Sequence, residues 1–165
     1  MTQPELTMVV VNMAKWPSDF SEDRMYCCPA TERGFHASYR QYPSKYIGNY
    51  VSKGVKYVAV VKACVRLNKN SADEVLWKFG DMSDEDAIAQ ANEVRTKTRR
   101  NPKPCLVLLQ TELSATEFEY DYEGGFQSSR TYFDLSELGP TDIKDLAKKL
   151  RETCWSSVPK LKIED

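Results

Sequence analysis

The sequence predicts an α+β domain, built as a mostly antiparallel curved sheet or partly open β-barrel of five or six strands with two main helices. Three observations carry this. Runs rich in Val, Ile and Tyr recur at strand length between Thr7 and Leu135. Two of them, Lys45 to Val51 and Val55 to Leu67, flank Ser52, Lys53 and Gly54, the spacing of a hairpin whose glycine takes the positive φ of a three-residue loop. Two later segments, Ser83 to Thr98 and Thr141 to Arg151, join a capping residue to apolar positions at helical spacing.

Taken in order, Thr7 to Met13 is a β-branched run that reads as a buried strand, closed by Trp16 and Pro17. Ser18 to Arg33 has no sustained period and reads as loop, with a short helical turn over Ser21 to Met25. In the second hairpin arm Val55, Tyr57, Ala59, Val61, Ala63 and Val65 share one face, the core face. Lys56, Val58, Val60, Lys62, Cys64 and Arg66 share the other, apolar in its middle and basic at its ends. Ser71 to Met82 fits either a strand or a short helix.

Ser83 caps the first helix, Asp84, Glu85 and Asp86 fill its first turn, and Arg95, Lys97, Arg99 and Arg100 crowd its end, each sign where the helix dipole favours it. Ala87, Ile88, Ala91 and Val94 form its narrow apolar stripe. Cys105 to Leu109 reads as a central strand and Ala115 to Tyr122 as an alternating one, followed by the Gly124 and Gly125 turn and a strand over Thr131 to Leu135. Thr141 caps the last helix, whose apolar side is Ile143, Leu146, Ala147 and Leu150.

The length of 165 residues implies one domain over 1–165, with mobile ends at about 1–6 and 156–165. The five cysteines, an odd number set mostly in apolar runs, imply reduced thiols and a cytoplasmic location. The longest apolar runs are strand length, so neither a signal peptide nor a membrane-spanning helix is expected. A net charge of -1 gives no global attraction to nucleic acid, so any such attraction must be local.

Charge is indeed organised in blocks. Gly34 to Asn70 contains no Asp or Glu, Ser71 to Glu93 is acidic apart from Lys78, Arg95 to Lys103 is basic, and Thr111 to Glu137 is acidic apart from Arg130. In the first block Arg40, Lys45, Lys53, Lys56, Lys62, Arg66 and Lys69 alternate with five tyrosines, a mixture suited to holding phosphates and stacking planar bases. The expected function is a non-catalytic module binding nucleic acid (RNA or DNA) or a nucleotide. Arg40, Lys45, Lys53, Lys56, Arg99 and Arg100 are the phosphate candidates, and Tyr46 with Tyr50, separated by Gly48, the stacking candidates.

Two other classes are weighed against this. A protein-interaction module, an inhibitor or adaptor steered by charge, would need an aromatic anchor, for which Trp16, Trp77 and Trp155 are the candidates. A phosphoester enzyme would place Mg²⁺ on Glu117, Glu119 and Asp121. A solvated strand face explains those carboxylates as well. The single histidine, His36, has only Cys27 and Cys28 near it in sequence, and adjacent cysteines share one tetrahedral metal poorly. No catalytic residue, metal site or cofactor is assigned.

The hairpin KYIGNYVSKGVKYVAVVKACV, the later strand CLVLLQ and the closing QSSRTYFDLSEL before a helix together resemble, over Phe35 to Leu138, the element order of PUA-like domains, including the EVE and ASCH branches. The resemblance implies a small barrel binding RNA or modified bases, with Tyr46, Tyr50 and Arg130 as pocket candidates.

Overall fold

The computed structural model describes residues 3–12, 25–29, 41–51, 54–68, 71–97, 105–119, 130–153 and 157–162. Within them lie seven strands: β1 (Thr7–Asn12), β2 (Met25–Pro29), β3 (Tyr46–Val51), β4 (Gly54–Leu67), β5 (Glu74–Lys78), β6 (Cys105–Glu119) and β7 (Arg130–Asp134). Two α-helices accompany them, α1 (Asp84–Lys97) and α2 (Ile143–Glu152). Six strands follow the order β2-β6-β4-β3-β1-β7, and β5 pairs with β4 beside that path. The chain is α+β, and its mixed sheet is not closed.

Tertiary contacts divide the chain into two compact units, each with its own core. The first holds β1, β3, β7, α2 and β4 as far as Val60; the second holds β2, β5, α1 and β4 from Val61 onward.

In the first unit β1 is the centre. It pairs parallel with β3 and antiparallel with β7, and Met8, Val9, Val10 and Val11 are all buried, so the continuous apolar run serves both faces. Alternate residues on β1, β3, β4 and β7, namely Met8, Val10, Tyr46, Val58 and Phe133, pack with Ile143, Leu146, Ala147 and Leu150 of α2. Those helix positions recur at three, four and seven residues, the spacing that keeps one stripe inward. The helix is capped by Asp142, whose Oδ1 accepts from the Asp145 N–H at 2.7 Å, and not by Thr141. Thr141 instead donates its N–H and Oγ1–H to Asp145 Oδ2, at 3.0 and 3.3 Å. The positive φ of Gly139, 57°, turns the chain into this cap.

In the second unit Ala63, Val65 and Leu67 of β4 and Val107 and Leu109 of β6 pack against Ala87 and Ala91 of α1. The two alanines let the helix approach closely. Ser83 caps α1 as expected, its Oγ accepting from the Asp86 N–H at 3.1 Å. The Ser71 to Met82 segment resolves as strand β5.

Several expectations are corrected. Met25–Pro29, read as loop and helical turn, is a strand on β6, because pairing partners distant in sequence supply what its local pattern does not signal. The hairpin loop has two residues between the paired Val51 and Gly54, not three. The extra residue appears further along: Asn49 pairs with Tyr57 and Tyr50 with Val55, which leaves Lys56 as a β-bulge. Cys105 to Glu119 is one long strand where two were expected, and Tyr120 to Tyr122 lie outside the described residues. Of the expected mobile ends, residues 4–6 and 157–161 are tied down. Pro4 O accepts from Lys45 N–H at 3.0 Å, Leu6 O from Leu135 N–H at 2.7 Å, and Val158 is buried in the first core.

Two predictions follow from this packing. Leu146→Ala removes a fully buried side chain from the first core and should cost about 2–5 kcal/mol in denaturant unfolding. The Asp145 carboxyl sits below its ordinary pKa, first through the Thr141 backbone N–H and then through Lys149, which bonds it at 3.1 Å. Its contribution is therefore full above the unfolded value of about 3.9 and disappears as pH falls through the lower folded value. The stability gap between the protein and Asp145→Asn should be present at neutral pH and close only in strong acid.

Candidate nucleic-acid interface

The candidate residues separate into those the fold uses and those it leaves at one end of the sheet. Tyr46 belongs to the fold. It is 3 % exposed and packs in the first core, so its ring presents no open face for a base, and its stacking role is corrected to packing. Lys45 is half-buried, with Nζ 6.0 Å from the Tyr46 ring centroid, a cation–π position that draws the ammonium over its neighbour. Gly48 is buried between Val10 of β1 and Val58 of β4, so the residue between the two tyrosines marks a close approach of strands.

The other end of the same strands gathers three candidates. Tyr50 stands level with Asn12 on β1 and Val55 on β4, beside the bulge at Lys56. Arg130, the first residue of β7, stands level with Val11, which is in turn level with Asn49 and Tyr57. Tyr50, Lys56 and Arg130 therefore fall within two adjacent rows at the end where β3 turns into β4. Strands lie about 4.8 Å apart, so Arg130 is about 10 Å from Tyr50 and about 14 Å from Lys56 along the backbone grid. On β1, β3 and β4 the rows hold Asn12, Val11, Asn49, Val55 and Tyr57 besides. β6, the neighbour of β4 on the side away from β3, carries Glu112, Glu117 and Glu119.

A single pocket of Tyr46, Tyr50 and Arg130 is not formed, since Tyr46 is enclosed and Arg130 stands a row away from Tyr50. Arg40, Lys53, Arg99 and Arg100 lie outside the described residues, as do His36, Asp121, Trp16 and Trp155. Trp77 is half-buried on β5, edge-on to Phe79 with centroids 5.5 Å apart. Among the described residues no three His, Cys, Asp or Glu side chains cluster to hold a metal ion, and no helix is long and apolar enough to cross a membrane.

In the second unit the charge blocks interlock. Arg66 stands opposite Glu74 in the β4–β5 ladder, and Lys78 Nζ lies 2.7 Å from Asp84 Oδ1. Sequence reasoning missed a polar network here. Asp73 accepts from Asn68 N–H at 2.9 Å and from Asn92 Nδ2 at 3.3 Å, and Asn92 Oδ1 accepts from Arg95 Nη2 at 2.8 Å. Asn92, Glu93, Thr96 and Ala89 line a shallow groove of about 360 Å³ on the same helix. An Asn at the centre of a helical stripe with an Asp just before a strand is the only trace it leaves in the sequence. The network joins the β4–β5 turn to α1, which is a structural task. Asp73→Ala should therefore destabilise the protein by about 1–3 kcal/mol in urea unfolding, through the N–H groups it strands, without changing any nucleic-acid affinity.

Comparison of the chain with protein-family models, with curated proteins and with solved structures gives no match in any of the three.

Proposed function

We propose that the protein is a non-catalytic module that binds nucleic acid, with its contact surface at the sheet end carrying Tyr50, Lys56 and Arg130. The observation that supports this is their placement: residues 50, 56 and 130, far apart in sequence, fall in two neighbouring rows at the end where β3 turns into β4, rows that alternate between the two faces, so a strand bound there passes over the sheet end. The span of about 14 Å is several times the roughly 3.4 Å rise per phosphate of one DNA strand, so two cations at its ends meet different phosphates. Tyr50 supplies the aromatic ring on which an unpaired base stacks. The contacts are to phosphate and to base faces, so the reading implies little sequence preference and a marked preference for single strands.

The test is binding of labelled single- and double-stranded DNA and RNA over a range of salt. The logarithm of affinity should fall linearly with the logarithm of salt, and Lys56→Glu with Arg130→Glu should lower that slope by about one per residue. Tyr50→Ala should weaken single-strand binding by about 1–3 kcal/mol and leave the duplex nearly unaffected. Unchanged affinity and slope in the double charge reversal would sink the proposal and turn attention to a protein partner.

A further inference from the structure

The outer side of α2 carries positive charge that the packing does not use. Ile143, Leu146, Ala147 and Leu150 face the first core, while Lys144, Lys148 and Arg151 stand exposed at intervals of four and three residues. At 3.6 residues per turn and 1.5 Å per residue, these three fall within about 60° of one another and span about 10 Å of the helix axis. Lys149, by contrast, is engaged by the fold, its Nζ lying 3.1 Å from Asp145 Oδ2 and 3.1 Å from Gly139 O. Among the described residues, none makes an ion pair or hydrogen bond with the side chain of Lys144, Lys148 or Arg151.

Helix stability does not account for this stripe. Arg151 sits in the last turn, where the dipole favours a cation, but Lys144 follows Asp142 and Ile143 in the first turn, where the dipole opposes one. Of the two carboxylates in α2, Asp145 is held by Thr141 and Lys149, which leaves Glu152 as the exposed acid beside the stripe. Lys160 adds positive charge on the same side. It stands opposite Phe133 in an antiparallel bridge, and Phe133 packs in the core beneath α2, so the two side chains share that face.

The chemistry of the stripe selects among anionic partners. A protein interface takes most of its energy from a few buried aromatic or apolar anchors. A helix held on a membrane buries an apolar face in the lipid, and α2 has already given its apolar face to the core. The exposed positions of α2, Lys144, Lys148, Arg151 and Glu152, offer neither an aromatic nor an apolar side chain. A phosphate backbone is bound through cations alone, by release of its counterions.

We infer that the outer stripe of α2 is a second nucleic-acid surface, one that holds phosphates and reads no base. The inference rests on the reading proposed above for the class of ligand, and it adds a contact that a duplex satisfies as well as a single strand does. The span of about 10 Å covers about three phosphates at roughly 3.4 Å of rise each along one strand.

The experiment combines Lys144→Gln, Lys148→Gln and Arg151→Gln in one full-length variant, changes that keep helix propensity and touch no buried group, with circular dichroism to establish folding. Its binding of a labelled DNA duplex should weaken, and the slope of log affinity against log salt should fall by about 0.9 for each residue replaced. Glu152→Gln should move affinity the other way. The preference for single strands, which Tyr50 sets, should survive in both variants. Unchanged duplex affinity and slope in the folded triple variant overturn the stripe, as does a parent that binds single strands and no duplex, and neither result touches the Tyr50 end. Weakened duplex binding in the triple variant, with no effect of Lys56→Glu and Arg130→Glu, upholds the stripe and overturns the sheet end instead. A triple variant that loses phosphatidylserine vesicles and keeps the duplex overturns nucleic acid as the occupant.

Discussion

Four consecutive residues of β1, Met8 to Val11, lose contact with water on both sides of the strand, and the first unit depends on that constraint. A strand buried on both faces must have every N–H and C=O paired laterally, which requires neighbours on both edges. β3 and β7 supply them, one parallel and one antiparallel. Pairing fixes register, and register decides which residues of β3, β4 and β7 turn toward α2. The enclosure of Tyr46 and the grouping of Tyr50, Lys56 and Arg130 at one end are both consequences of where β1 sits.

Electrostatics follows the same hierarchy. The blocks seen along the sequence suggest one positive and one negative surface, yet in the second unit folding sets Arg66 against Glu74, Lys78 against Asp84 and Arg95 into the Asp73–Asn92 network. The exposed Lys78–Asp84 pair contributes little stability, but it neutralises local charge. A run of like charge along the chain thus says what a strand carries, and only the neighbouring strand says what remains of it.

Much of the fold was legible because its signals are local. Ser83 as a cap, the apolar stripes of both helices and the β-branched runs of β1, β3 and β4 depend on residues close in sequence. What was not legible depends on distant partners. Met25–Pro29 becomes a strand only beside β6, β1 and β3 pair in parallel across more than thirty intervening residues, and Val158 is an anchor only because α2 and β7 leave room for it. The candidate site shows the same division. The mixture of Lys, Arg and Tyr was visible, whereas the removal of Tyr46 into the core and the bulge at Lys56 were set by register.

The interleaving of the two units has a consequence for how such a chain arises and changes. The path runs from the first unit to the second and back twice, with changeovers near residues 16, 41, 60 and 111, two of them inside the continuous strands β4 and β6. No single cut yields either unit whole. Recombination that joins ready-made segments end to end therefore has no natural seam here, and an insertion in β4, which gives Val58 to one core and Ala63, Val65 and Leu67 to the other, would be felt in both. Changes in length are best tolerated at the turns between its strands, which carry neither core.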